Sequence, residues 1–80
     1  MLKVGDYVSI KQGKNLKGDK VGVFRKVTEY IGKYDLYKIE GTEGYPYFED
    51  ELDVYTRVKN TRLARKMYPK AVEENGWLYI

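Results

Sequence analysis

The side chains of this chain whose type and spacing could do chemistry are cations rather than catalytic groups. Lysines recur at every third position through a glycine-rich stretch, and two further basic residues follow them: Lys11, Lys14, Lys17, Lys20, Arg25 and Lys26. A lysine-rich loop on a rigid scaffold neutralises several phosphates without reading bases, so this pattern indicates a sequence-independent nucleic-acid contact. The alternative is a loop that serves only solubility.

A second basic group lies further along the chain and consists of Arg62, Arg65 and Lys66. At about 100° per residue, these three fall on one side of a predicted helix, and Leu63 and Met67 fall on the other. The group either belongs to the same phosphate-binding surface as the loop lysines or is the ordinary solvated side of an amphipathic helix.

The order of charges along the chain is basic, acidic, basic. Residues 1–33 carry eight basic side chains against three acids, a net of +5, and residues 34–55 carry one against seven, a net of −6. Residues 56–80 carry six against two, a net of +4. The blocks either neutralise one another across the folded surface or leave one basic face that attracts a polyanion.

Aromatic side chains form a second candidate site, which would bind protein. Its members come from one predicted strand and two neighbouring strand ends: Tyr45, Tyr47, Phe48, Tyr7 and Tyr55. Exposed rings beside the acidic run at 49–53 would form a groove for a proline-rich or cationic peptide. The same rings could stack the bases of a single strand or fill the core. Because side chains alternate along a strand, at least one of Tyr47 and Phe48 is expected to face solvent.

Catalysis and metal binding are poorly supported by the composition. The chain has no histidine and no cysteine, and Ser9 is its only serine, with no base to activate it. The acids at 49–53 lack the spacing of an EF-hand loop, and a small barrel leaves little room for a hydrolytic carboxylate cleft. We therefore expect a protein that is not an enzyme and that holds no metal and no cofactor.

The length of the chain, 80 residues, predicts one domain. Without cysteine no disulfide can stabilise it, so the apolar core must suffice, and the nine tyrosines are its expected contributors. No apolar run approaches the roughly 20 residues of a membrane span, and the first residues do not read as a secretory signal. We expect a soluble, cytoplasmic protein that does not bind a membrane.

Alternating residues and turn signals predict a mainly β fold. Five short strands are expected within residues 6–10, 21–30, 34–40, 45–48 and 53–55, with one helical turn before the fifth. A helical segment is expected at 60–75, with Asn60 as its N-cap and Asn75-Gly76 as its end. Residues 77–80 are expected to form a terminal strand or to close the end of the barrel.

Two segments resemble a known family. Gly5-Asp6-Tyr7-Val8-Ser9-Ile10, followed by Gly13, Lys17-Gly18 and Val23, resembles the KOW-type SH3-like barrel of some ribosomal proteins and transcription elongation factors. The run from Tyr37 to Leu52 is similar to small SH3-like proteins of phage and prophage origin. The resemblance covers residues 3–55 and implies a five-stranded SH3-like barrel, to which the short C-terminal helix and the strand-like tail are added.

Two functions remain open on this reading. The first is a non-enzymatic module that binds DNA or RNA through its basic loop. The second is a protein-interaction adaptor, of a phage type acting on a host target. A basic face shared by the loop lysines and the helix arginines would favour nucleic acid, whereas dispersed lysines beside an apolar groove would favour protein.

Overall fold

The computed structural model describes residues 2–42 and 44–80, which form two antiparallel sheets and one short helix. Met1, the first residue of the predicted 1–80 domain, lies outside the described residues. So does Glu43, one of the acids of the middle block. The mainly β character that the sequence predicts is confirmed, and in the described part of the chain no helix is long and apolar enough to cross a membrane.

The first sheet has five strands in the order β4-β3-β2-β1-β5. They are β1 (Tyr7–Ile10), β2 (Arg25–Ile31), β3 (Leu36–Ile39), β4 (Tyr47–Phe48) and β5 (Leu52–Tyr55). Within residues 2–42 and 44–80 no ladder joins β4 to β5, so these two strands are the edges of an open sheet rather than neighbours in a closed barrel.

The first four strands are shorter than the sequence predicts, and local backbone chemistry explains the difference for β2 and β4. β2 begins at Arg25 rather than at residue 21, because Gly22 has a φ of 72° that no extended strand adopts. β4 holds only two residues, because Pro46 has no N–H to donate to a ladder. The expected helical turn is present as a 3₁₀ turn at Glu49–Glu51, directly before β5.

The core lies on one face of the first sheet and follows the alternation of its strands. Val8 and Ile10 point inward from β1, and Tyr37 and Ile39 do so from β3. The buried cluster comprises Leu2, Val8, Ile10, Val27, Tyr37, Ile39, Tyr47 and Leu52. Two tyrosine rings are therefore among its largest members, which lets a small domain bury substantial apolar area.

The second sheet has three strands in the order β6-β8-β7. They are β6 (Arg57–Lys59), β7 (Val72–Glu74) and β8 (Trp77–Tyr79), and helix α1 (Arg62–Met67) lies between β6 and β7 in the chain. The expected terminal strand is thus present as β8, the central strand of this sheet. Neither of its two partner strands was predicted.

The helix is shorter than the predicted 60–75 segment. Thr61 rather than Asn60 caps it, since its side chain accepts a hydrogen bond from the Ala64 N–H at 3.0 Å. Asn75 and Gly76 do not end a helix: their φ values of 51° and 84° form the two-residue turn of a hairpin that pairs Glu74 with Trp77. Asn-Gly is favoured in such turns because both positions need a positive φ.

Aromatic packing joins the two sheets. The Tyr79 ring of β8 stacks on Phe24 with centroids 3.9 Å apart and contacts Tyr7 of β1 edge-on at 5.7 Å. Thr56 and Ile80 also exchange backbone hydrogen bonds of 3.1 and 2.9 Å. The tail therefore packs on its own chain, with Leu78 and Tyr79 buried.

Candidate nucleic-acid interface

The basic loop spans residues 11–24 between β1 and β2, and its middle is fixed to the first sheet by one buried side chain. The hydroxyl of Tyr47, on β4, accepts a hydrogen bond from the Leu16 N–H at 3.0 Å and donates one to the Asp19 carboxylate. The Asn15 amide donates to the Asp19 carbonyl at 3.0 Å and closes the segment on itself. The loop is thus anchored rather than free along its length.

The protonation state of Tyr47 suits this anchoring role. Burial raises the pKa of its hydroxyl above the ordinary value of 10.0, and the hydrogen bond to Asp19 raises it further, whereas the bond from Leu16 lowers it. The side chain stays neutral at physiological pH and keeps the proton that it donates to Asp19.

The anchored loop presents its cations to solvent. Lys14, Lys17 and Lys20 are exposed, and Lys11 is half-buried at the end of β1. Between residues that the structure describes, the only ion pair joins Lys38 Nζ to Glu29 Oε1 at 3.9 Å. The charges of the loop lysines are therefore not neutralised by carboxylates in that part of the chain.

A groove of about 500 Å³ lies where the loop meets β4. We call it the aromatic groove, and its lining residues are Leu16, Lys17, Leu36, Tyr45, Pro46 and Phe48. Tyr45 is 70% exposed and Phe48 is 51% exposed, so both rings are open to a ligand. The fold thus places a cation of the loop and two accessible rings in one concave surface.

A second groove of about 500 Å³ lies on the other side of Phe48. We call it the acidic groove, and its lining residues are Asp35, Phe48, Glu49, Asp50, Leu52 and Val54. The expected aromatic and acidic neighbourhood is therefore present, but the acids and Lys17 lie in different grooves with Phe48 common to both.

The two remaining basic residues near the loop lie at the start of β2. Arg25 is half-buried, and its Nη1 donates to the Glu40 carbonyl at 3.1 Å, so its guanidinium is engaged within the fold. Lys26 is exposed and pairs with Tyr7 across the β1–β2 ladder. Neither residue lines the aromatic groove.

The basic residues of α1 lie in the chain between β6 and β7, two strands of the second sheet. Arg62, Arg65 and Lys66 are exposed, and Arg62 and Lys66 border a separate shallow depression with Leu63. No residue of α1 lines the aromatic groove. The described surface therefore does not join the two predicted basic groups in one cavity.

The predicted aromatic residues divide between three environments. Tyr45 and Phe48 are exposed in the aromatic groove, whereas Tyr47 is fully buried and cannot present its ring to a partner. The expectation that one of Tyr47 and Phe48 faces solvent agrees with this arrangement. Tyr7 and Tyr55 are half-buried and line a different cleft of about 330 Å³.

That cleft contains a residue that the sequence did not single out. The Arg57 guanidinium lies 4.3 Å from the Tyr7 ring centroid and 3.9 Å from that of Trp77, so it is held between two aromatic faces. Such contacts are attractive because the face of an aromatic ring carries negative charge density. No local pattern marks Arg57, since its two partners come from distant strands.

No protein-family model, curated protein or solved structure matches the chain. Among the described residues no three acidic side chains lie close enough together to hold a metal ion.

Proposed function

We propose that this protein is a non-enzymatic module that binds single-stranded nucleic acid in the aromatic groove. Tyr45 and Phe48 stack two bases, and Lys14, Lys17 and Lys20 contact phosphates of the same strand. The loop lysines and the helix arginines do not line a common cavity, so the proposal does not rest on a shared basic face. It rests on the observation that Lys17 and both exposed rings line one groove. Cationic grooves with aromatic platforms bind single strands with little sequence preference, because every base has a π face.

We also propose that the first sheet has the strand topology of an SH3-like fold, left open between β4 and β5, with a KOW-like N-terminal motif. Three features support this: β2, β3 and β4 form a meander, the 3₁₀ turn follows β4, and β5 returns to pair with β1. The basic loop then occupies the long connection between the first two strands, where a binding segment is supported by rigid elements on both sides.

The test is a titration of fluorescently labelled oligonucleotides, single-stranded and duplex, over a series of salt concentrations. Each phosphate contact should contribute roughly 0.7 to the slope of log K against log salt for a single strand. Lys17→Gln should lower that slope by about this amount. Lys70→Gln is the matched control, because Lys70 is also exposed but lies outside the groove.

The rings provide an independent arm of the same test. Tyr45→Ala and Phe48→Ala should each lower single-strand affinity by about 1–3 kcal/mol, or roughly 5- to 150-fold, and leave the salt slope unchanged. Wild-type protein that binds no single strand at low salt would refute the proposal. So would equal slopes for Lys17→Gln and Lys70→Gln.

A second candidate function is that of an adaptor for an extended cationic peptide. The observation that favours it is the acidic groove, in which Phe48 lies beside Glu49 and Asp50. The double variant Glu49→Gln/Asp50→Gln separates the two functions. It should weaken binding of an arginine-rich peptide if the adaptor reading is right. It should strengthen oligonucleotide binding if the nucleic-acid reading is right, because two repelling charges are removed.

A further inference from the structure

Helix α1 carries an apolar face that the fold leaves uncovered. Leu63 is 66% exposed and Met67 is 59% exposed, so the apolar side that the sequence predicts for this helix is open to solvent. The two are four positions apart and thus adjacent on one face, with Arg62 and Lys66 beside them. This surface, the α1 face, is therefore apolar at its centre and basic at its rim.

The acidic groove has the complementary composition. Its apolar lining residues are Phe48, Leu52 and Val54, of which Phe48 and Val54 are each 51% exposed. Three carboxylates, those of Asp35, Glu49 and Asp50, line the same groove. A helix with leucine or methionine at its centre and cations at its edge matches this groove in both apolar character and charge.

We propose that the α1 face of one copy docks into the acidic groove of a second copy. The two surfaces belong to different sheets and share no residue, so the contact joins unlike patches of the chain. Such a heterologous contact leaves one free α1 face and one free groove in every dimer. Association therefore continues into a ring or an open chain of molecules.

The charges of the two surfaces favour this contact over a contact between two α1 faces or between two acidic grooves. Two α1 faces brought together would place Arg62 and Lys66 of one copy against the same cations of the other. Two acidic grooves brought together would oppose their carboxylates. Like charges facing each other across an interface are unfavourable, whereas the unlike pair of surfaces is attractive.

The contact is small and its charges are exposed, so the association should be weak and should depend on salt concentration. A helix of six residues in one groove buries less than the roughly 1,200 Å² of a stable interface, so the association is weak. Exposed charges are screened beyond about 8 Å at physiological ionic strength, so raising the salt concentration should weaken it further. The cations of this contact differ from those of the nucleic-acid proposal, and Phe48 is the one side chain named in both.

The experiment is sedimentation velocity on the full chain at low salt, over concentrations on the order of 10 µM to 1 mM. The variant Arg62→Glu/Lys66→Glu reverses the α1 face, and Glu49→Lys/Asp50→Lys reverses the groove. Wild type should associate as concentration rises, and each variant alone should sediment as a monomer. An equimolar mixture of the two variants should associate again, because each reversed surface then meets a complementary one.

The controls address charge and folding. Lys59→Glu/Lys70→Glu makes the same change in net charge outside both surfaces and should leave association intact. Arg62→Gln/Lys66→Gln introduces no new repulsion and should weaken association about tenfold with an unchanged circular dichroism spectrum.

Four results would overturn the proposal. Wild type could remain monomeric across the whole range, or the mixture of reversed variants could fail to associate. Reversal of the α1 face alone could abolish association while reversal of the groove does not, which would indicate a symmetric helix contact. Lastly, wild type could bind vesicles containing an anionic lipid without self-association, which would assign the α1 face to a membrane surface instead.

Discussion

Replacement of Tyr47 by phenylalanine tests the anchor of the basic loop with the smallest possible change. The ring remains and continues to fill its buried position on β4. Only the hydroxyl is lost, and with it the bonds to the Leu16 N–H and the Asp19 carboxylate. The variant therefore isolates the polar contribution of one atom.

The expected cost follows from what that atom satisfies. A hydrogen bond to a charged group contributes about 1.5–3 kcal/mol, and a neutral one about 1 kcal/mol. In the variant, water can reach part of the exposed loop and form hydrogen bonds in place of those that are lost. Tyr47→Phe should therefore lower the free energy of unfolding by about 2–3 kcal/mol. For a domain of this size the melting temperature should fall by roughly 10–20 °C.

The assay is urea unfolding at pH 7 and again above pH 10. Because the pKa of Tyr47 is raised in the folded state, its contribution is present below the unfolded value of 10.0 and is lost as pH rises through the folded value. The gap in stability between wild type and Tyr47→Phe should therefore narrow in strongly alkaline solution. Tyr30→Phe is the control at pH 7, since its hydrogen bond to Asp35 is exposed and its loss should change stability by less than about 0.5 kcal/mol.

If Tyr47→Phe unfolds at the same urea concentration as wild type at pH 7, the Tyr47 hydroxyl does not stabilise the loop. A constant difference in stability between the two proteins from pH 7 to pH 11 would show that the hydroxyl does not titrate as its raised pKa requires. Under the proposed function, the variant should in addition bind oligonucleotides less tightly with an unchanged salt slope, because the lysines are all retained but less well placed.

Two further predictions concern backbone space and the junction of the sheets. Gly41→Ala should destabilise by about 1 kcal/mol more than Gly13→Ala, although both residues have a positive φ. Only at Gly41 would a Cβ lie 2.6 Å from Arg25 Nη1, and moving that group away would break its hydrogen bond to the Glu40 carbonyl. Equal urea midpoints for the two variants would contradict this. Arg57→Gln should lower the free energy of unfolding by about 1–2 kcal/mol, because the ring faces of Tyr7 and Trp77 lose their cation. The same change should alter the fluorescence of Trp77. An unchanged fluorescence spectrum would mean that the Arg57 guanidinium does not stay on the Trp77 ring in solution.

The first sheet was the more predictable part of the fold, because its signals are local. Val8 and Ile10 alternate with their neighbours, and so do Tyr37 and Ile39, and each pair is buried as expected. The acids at 49–51 also form the expected turn. The pairing that leaves β4 and β5 as open edges depends on contacts between distant residues, which alternation does not encode.

The second sheet shows how one turn can be misread. Asn75-Gly76 is compatible with the end of a helix and with a hairpin, and only the pairing of β7 with β8 decides between them. β6 is three residues long and contains two cations, so no apolar alternation reveals it. Short strands of this kind are specified by their neighbours rather than by their own residues.

The sequence predicted which lysines of the candidate site are exposed, but not the groove in which Lys17 meets the aromatic rings. The spacing of Lys14, Lys17 and Lys20 identified an exposed basic loop, and the structure places all three in solvent. The sequence left open whether Tyr47 faces a partner or the core, because its position on the strand does not tell which face is covered, and the structure buries it. The meeting of Lys17 with Tyr45 and Phe48 depends on how the loop folds back over β4, a tertiary feature.

The order of strands in the second sheet bears on how the chain acquires its structure during synthesis. β6 and β7 each pair with β8 and not with each other, yet both precede it in the chain. A ribosome releases segments from the amino end first, so β6 and β7 emerge with no strand to bind until residues 77–79 follow. The second sheet can therefore form only after residues 77–79 have been synthesised, whereas every strand of the first sheet ends before residue 56.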